Sequence, residues 1–367
     1  MSLPLIISFV IAFAVAYIST PFVKHLAKRV GAIDVPKDAR RVHKKPTPLL
    51  GGLAIFYGFA VSVLCLCDMD MSVRGMMFGS LVIIITGVFD DIRPLRPVTK
   101  LFWQIVAAVI IVLHGVQIYR LSMPTFIAPS GTVELGIFSV PITIIWIVGV
   151  TNAVNLIDGL DGLAAGVSSI ASMTLFCIAL IASEQNIALI TAALAGASFG
   201  FLPYNFNPAK IFMGDTGAMF LGFILATLSI MGVFKAYAVI SFVVPFIVLG
   251  LPLFDTGFAI VRRIAHHKPI MEADRGHLHH KLLDMGLSQK QTVSVLYIIS
   301  SVLGLSAIVL IGGGAVRALF LVAIIIAIAV AGFIIFGGLA KKEEKEFKLY
   351  CLSAWQNSLH HSLSCTT

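Results

Sequence analysis

Four stretches of this chain place carboxylates, amides and cations where an apolar sequence has least reason to keep them. Gly87 to Asp91 (GVFDD) ends an apolar run on two adjacent acids. Adjacent carboxylates repel, and a divalent cation or a shared proton relieves them. A solvated stop at a helix end is the plainer use of such a pair. Asn152 to Gly162 (NAVNLIDGLDG) lies between two apolar runs. On a helix Asn155, Asp158 and Asp161 step by three and share a face, with glycines that let a ligand or backbone approach. Amides and acids this dense, with no Lys or Arg nearby, point to a polar ligand. Tyr204 to Gly217 (YNFNPAKIFMGDTG) puts Asp215 at the start of the next apolar run. A helix N-terminus there offers free N–H groups to an anion, and Asp is also a common N-cap.

The fourth stretch is Arg262-Arg263 followed by Met271 to Lys281 (MEADRGHLHHK). His277, His279 and His280 at i, i+2 and i+3 do not set three ligands on one helical face. Flanked by Arg275 and Lys281, they read better as a cationic phosphate clamp, with zinc and a solvated basic loop as alternatives. A fifth segment, Arg40 to Gly52 (RRVHKKPTPLLGG), joins a basic run to a Pro-punctuated turn and paired glycines. Its charge follows from membrane topology; Thr47 and the glycines do not.

The elements that must position these groups are membrane helices. The 367 residues are 58% hydrophobic and only 12% charged, too few charges to coat a water-soluble globule. Spans of about 20 apolar residues fall near residues 3–23, 49–67, 73–89, 101–119, 138–154, 163–183, 187–203, 216–234, 238–260, 291–311 and 316–339. The expected fold is therefore all-α and polytopic, with about eleven transmembrane helices. The fifth and seventh are short enough to be broken or tilted. One membrane domain is expected over 1–340 and a cytoplasmic tail over 341–367, where Lys341 to Glu346 is a solvated charged run. The first span has no basic segment before it and reads as an uncleaved anchor, not a signal peptide. Cys65, Cys67 and Cys177 lie in apolar segments and Cys351 and Cys365 in the tail, so the cysteines form no disulfide or ligand framework.

Lys and Arg divide sharply between the two sets of loops. One set and the tail hold 22 of the 26; the other has only Arg74, Arg120, Lys235 and Arg317. By the positive-inside rule the first set is cytoplasmic, the N-terminus is outside and the C-terminus is cytoplasmic. This topology accounts for the net charge of +8 without nucleic acid. All four acidic groups then lie on the cytoplasmic side. Acids at one face suit a phosphate ester and Mg²⁺, whereas a cation-coupled transporter would need acids through the depth of the spans and matching broken repeats.

Five elements occur in order: His43 to Gly52 (HKKPTPLLGG), Asp90-Asp91, Asn152 to Gly162, Asn205 to Gly217 (NFNPAKIFMGDTG) and Arg275 to His280 (RGHLHH). On these the chain resembles the bacterial polyprenyl-phosphate N-acetylhexosamine-1-phosphate transferases of the WecA and TagO type, with MraY more distant. The resemblance implies transfer of N-acetylglucosamine-1-phosphate from UDP-GlcNAc to undecaprenyl phosphate in the bacterial plasma membrane. UMP leaves, and a lipid-linked glycan of teichoic acid or lipopolysaccharide type begins. It implies Mg²⁺, with Mn²⁺ as a substitute, and a UDP-sugar and a polyprenyl phosphate as partners; a homodimer stays open. By position, Asp90, Asp91 and Asp215 are the catalytic acids, Asp91 and Asp215 holding metal and Asp90 activating the acceptor. Lys100 falls near the phosphates, Lys45 and Thr47 are substrate-binding positions, and Asn155, Asp158, Asp161, Asn205 and Phe212 fall around the nucleotide. Arg275, His277, His279 and His280 fall on the diphosphate and sugar. RGHLHH is similar to the form in UDP-GlcNAc enzymes; transfer of phospho-MurNAc-pentapeptide is the alternative. Tyr350 to Thr367 matches no element of the family, so His360 and His361 are left out of the site.

Overall fold

The computed structural model describes residues 3–36, 45–122, 132–233, 243–266 and 276–313. Twelve helices run through them: α1 (Leu3–Val30), α2 (Gly51–Leu66), α3 (Met71–Ile92), α4 (Pro97–Leu113), α5 (Ser139–Leu156), α6 (Leu163–Ile181), α7 (Gln185–Asn205), α8 (Gly214–Leu228), α9 (Val243–Val248), α10 (Gly250–Ala265), α11 (Leu278–Asp284) and α12 (Gln289–Gly313). Seven of them, α1, α3, α5, α6, α7, α8 and α12, some counted with a flanking turn, are long and apolar enough to cross a bilayer; α2 and α4 are shorter apolar helices. The chain is a multi-pass membrane protein.

The fifth and seventh expected spans are continuous helices of 18 and 21 residues. The interruption falls instead in the ninth, where Leu249 separates α9 from α10. Pro252 lacks the N–H that would otherwise return to the carbonyl four residues back. Residues 238–242 of that span, the whole of 316–339 and the tail lie outside the described residues. An all-α expectation also missed two short antiparallel pairs: β1 (Ile33–Asp34) with β2 (Thr47–Pro48), and β3 (Arg120–Ser122) with β4 (Thr132–Glu134).

Small residues set the helix spacing, because lipid gives apolar helices no hydrophobic reason to associate and close backbone contact must supply it. Gly196 and Gly200 of α7 face the backbone carbonyls of Phe9 and Phe13 on α1, leaving no room for a Cβ. Buried hydroxyls add interhelical bonds: Ser8 on α1 donates to the Leu189 carbonyl on α7 (2.8 Å), and Ser62 on α2 donates to the Ser8 carbonyl (2.8 Å). α7 and α8 form the centre of the bundle and α1 and α12 its periphery. The helices alternate in direction, so the loops after α1, α3, α5 and α7 gather at one end.

Candidate active site

A cleft of about 650 Å³ opens at that end. Its floor is the start of α8. Gly52 of α2 and Gly87 of α3 abut Thr216 and Gly217 so closely that a Cβ at either would strike α8 backbone. The Gly51 and Gly52 N–H groups donate to the Phe212 and Met213 carbonyls (3.0 and 2.9 Å), so the paired glycines serve to seat α2 on the α8 start. Asp215 lies in the first turn of α8, but the cap comes from α3: the Asp91 carboxylate accepts from the Asp215 N–H (2.9 Å), the Thr216 N–H (3.2 Å) and the Thr216 hydroxyl (2.6 Å). Reading Asp215 as its own N-cap is thereby corrected.

Asp90 is buried and accepts from the Leu95 N–H (2.6 Å), which fixes the turn into α4. Pro97 opens α4, where its missing N–H costs nothing. One turn on, Lys100 reaches back, its Nζ 2.6 Å from both Asp90 Oδ2 and Asp215 Oδ2. Asn155, at the end of α5, donates to the same Asp215 oxygen (3.5 Å).

The expected helical face through Asn155, Asp158 and Asp161 does not form. α5 ends at Leu156 and residues 157–162 are turns, because Gly162 adopts φ +79° and α6 begins only at Leu163. The loop is held from three sides. Asn205 accepts from the Gly162 N–H and donates to the Ile211 carbonyl (both 3.1 Å). Tyr297 of α12 donates to the Gly162 carbonyl (2.5 Å). Asp161 accepts from the Asn207 amide (3.0 Å) and the Ala209 N–H (2.9 Å). Asp161 and Asn205 thus fasten one loop to another, whereas nothing among the described residues donates to the Asp158 carboxylate. Burial and the nearby Asp215, Asp91 and Asp161 push Asp158 up to about 8.

The histidines separate in space. Asp255, on α10, accepts from the Leu278 N–H (2.7 Å) and lies 2.9 Å from the buried His277 Nδ1. His279 is buried against Gly159, where a Cβ would strike its ring. Burial and the neighbouring His280 hold His279 down at about 4, so it is neutral near pH 7. His280 lines the cleft; Arg275 lies outside the described residues. Of the other expected site residues, Asp90, Asp91, Asn155, Asp158, Asp161, Asn205, Phe212 and Asp215 line it as well. Lys100 sits at its edge through its two acids. Lys45 is exposed away from it, and Thr47 is buried in the β1–β2 pair, donating to the Lys45 carbonyl (3.1 Å).

Asp255, Asn207, Thr216 and Gln289 were missed as supporting groups. Asp255 carried the same signal as Asp90, an acid in an apolar run. Asn207 and Thr216 lay inside the NFNPAKIFMGDTG element without being singled out, and Gln289 carried no signal, since its partner is distant in sequence: it accepts from Asn207 at 2.6 Å.

Asp34, Asp90, Asp91, Asp158, Asp161 and Asp215 line the cleft, with no Lys or Arg lining it among the described residues. Oxygens of Asp90, Asp91 and Asp215 lie within 4.8 Å of one another. Hard oxygen donors with more negative charge than Lys100 offsets fit a divalent cation such as Mg²⁺.

Fold and cleft together define a multi-pass membrane enzyme with an acidic site at the helix ends. The family described as glycosyl transferase family 4 matches residues 73–233, from α3 through α8. Over 323 residues the chain is 41% identical to the probable undecaprenyl-phosphate N-acetylglucosaminyl 1-phosphate transferase of Bacillus subtilis, covering 88% of this chain and 89% of that one. It is 35% identical to the decaprenyl-phosphate N-acetylglucosaminephosphotransferase of Mycolicibacterium smegmatis, over 86% of this chain and 85% of that one. Similarity to the phospho-N-acetylmuramoyl-pentapeptide-transferase of Halalkalibacterium halodurans is 32%, over 62% of this chain and 74% of that one. The chain belongs to glycosyl transferase family 4.

Proposed function

We propose that this enzyme transfers N-acetylglucosamine-1-phosphate from UDP-GlcNAc to undecaprenyl phosphate in a Mg²⁺-dependent reaction that releases UMP and starts a lipid-linked envelope glycan. The observation that carries the reading is the cluster of Asp90, Asp91 and Asp215, two of them paired with Lys100, at the mouth of an apolar bundle. A soluble, anionic donor and a lipid-borne phosphate can meet there, at the boundary of water and hydrocarbon. The Bacillus subtilis relative is named for transfer of N-acetylglucosaminyl 1-phosphate to undecaprenyl phosphate, and its higher identity and coverage than the pentapeptide enzyme favour UDP-GlcNAc as donor.

Asp215 and Asp91 would hold the Mg²⁺, which when bound neutralises phosphate charge in the transition state. Asp90 orients the acceptor phosphate. A phosphate monoester has a second pKa near 6 and is mostly dianionic at neutral pH, so Asp90 contributes more by positioning than by taking a proton. Lys100 keeps Asp90 and Asp215 in register. Phe212 offers a face for uracil, Asn155 and Asp158 contact the nucleotide, and His280 with Arg275 takes the diphosphate and sugar.

The cleft faces the cytoplasm of a bacterial plasma membrane in this reading. Support comes from Lys28, Arg29, Lys45, Arg93 and Arg96, which among the described residues lie at the cleft end, while Arg74 and Arg120 lie at the opposite end.

The test is incubation of purified protein with undecaprenyl phosphate, Mg²⁺ and a panel of labelled UDP-sugars, scoring lipid product and UMP. UDP-GlcNAc should turn over and UDP-MurNAc-pentapeptide should not. Preference for the pentapeptide donor moves the chain to that branch, and no lipid product with any sugar overturns the transfer.

A further inference from the structure

One helical turn below the cleft, three helices meet through side chains the reaction does not touch. Gln104 of α4 is buried and forms a reciprocal amide pair with Asn152 of α5: Asn152 Nδ2 donates to Gln104 Oε1 (2.7 Å), and Gln104 Nε2 donates to Asn152 Oδ1 (3.3 Å). Gln104 Nε2 also reaches Met219 Sδ of α8 (3.4 Å), and Asn152 Nδ2 donates to the Val148 carbonyl (2.8 Å). Both amides are fully engaged, in surroundings where an unpaired one is costly.

The register of this layer repeats that of the site. Gln104 follows Lys100 by four residues, Met219 follows Asp215 by four, and Asn152 precedes Asn155 by three, so each pair stacks on one helix face. The upper members, Lys100, Asn155 and Asp215, meet at a single oxygen, Asp215 Oδ2. We propose that Gln104 and Asn152 are positioning residues whose amide pair locks the rotation and depth of α4 against α5 and so holds Lys100 and Asn155 on Asp215.

The inference rests on the reading of Asp215 as a site acid, so its test must report without turnover. Purified full-length protein in detergent is treated with an amine-acylating reagent, and modification of Lys100 is followed by mass spectrometry. Partly buried Lys24 on α1 serves as the reference for general loosening. In Gln104→Met and in Asn152→Leu, Lys100 should react roughly five- to thirtyfold faster, the factor that an interhelical amide bond is worth in a membrane, with Lys24 unchanged. The swap Gln104→Asn with Asn152→Gln keeps the number of methylenes and should return Lys100 toward the wild-type rate. With UDP-GlcNAc and undecaprenyl phosphate, kcat should fall in the single variants while the donor KM stays within about twofold. Unchanged Lys100 reactivity in both single variants overturns the proposal, as does an equal rise at Lys24. A wild-type protein inactive with every UDP-sugar would refute the transferase reading instead, and the labelling would still decide the amide pair.

Discussion

The carboxylate of Asp91, at the end of α3, caps the helix that begins with Asp215, taking two backbone N–H groups and the Thr216 hydroxyl. Two acids that repel are thereby held at fixed separation, because the positive end of α8 lies between them and attracts Asp91. Asp91→Ala leaves those donors without an acceptor and should cost about 2 kcal/mol of stability. Thermal unfolding in detergent reads this directly. Asp215→Ala removes no cap and should unfold near the wild-type temperature.

The acids should differ in how they answer to metal. Removing a ligand weakens Mg²⁺ binding, so excess metal restores part of the rate; removing a group that orients the acceptor cannot be repaired that way. Asp215→Asn should raise the Mg²⁺ concentration for half-maximal rate, and Asp90→Asn should lower the rate at every Mg²⁺ concentration. An unchanged Mg²⁺ requirement in Asp215→Asn would remove that residue from the metal site.

Asp158 makes stability depend on pH. Its carboxyl titrates near 8 when folded, against an ordinary value of 3.8 when unfolded, so between those values the folded protein binds the extra proton. Stability must then fall as pH rises from about 4 to about 8 and level off above. Melting temperatures measured without divalent metal should show this decline in the wild type. Asp158→Asn, which cannot titrate, should show less of it.

Gly52→Ala drives a methyl group into Gly217 backbone, which neither helix can yield without separating α2 from α8. A loss of about 1 to 3 kcal/mol is expected for such overpacking. Activity should fall further than stability because Asp215 moves with the α8 start. Rate and melting temperature measured on the same preparation separate the two effects.

Asp255 and His277 are both almost wholly buried, so removing one strands the other. Asp255→Ala should cost about 1 to 3 kcal/mol and reduce turnover together with stability. Arg275→Ala should instead leave stability alone and lower kcat/KM roughly 10- to 150-fold, the worth of one charged hydrogen bond. Arg275→Lys should recover only part, since a point charge lacks the guanidinium fork.

Apolar length and charge alone determined that this chain is a helical membrane protein, because a bilayer admits only segments that satisfy their own backbone and exclude most charge. They also singled out Asp90, Asp91, Asp158 and Asp215, since an acid beside hydrocarbon is expensive enough to stand out against its neighbours. Division of labour among those acids was not legible. That Asp91 caps α8 as well as lining the cleft, whether Asp161 contacts a nucleotide or fastens the Asn207 loop, and whether His277 is free or held by Asp255 all depend on partners dozens of residues away. The break in the ninth span and the turn at Gly162 escaped for a similar reason: hydropathy averages over a window, whereas a single proline or one left-handed glycine redirects the chain. Residue type restricts what a side chain can do, but its hydrogen-bond partners decide what it does, and only the packed helices bring those partners together.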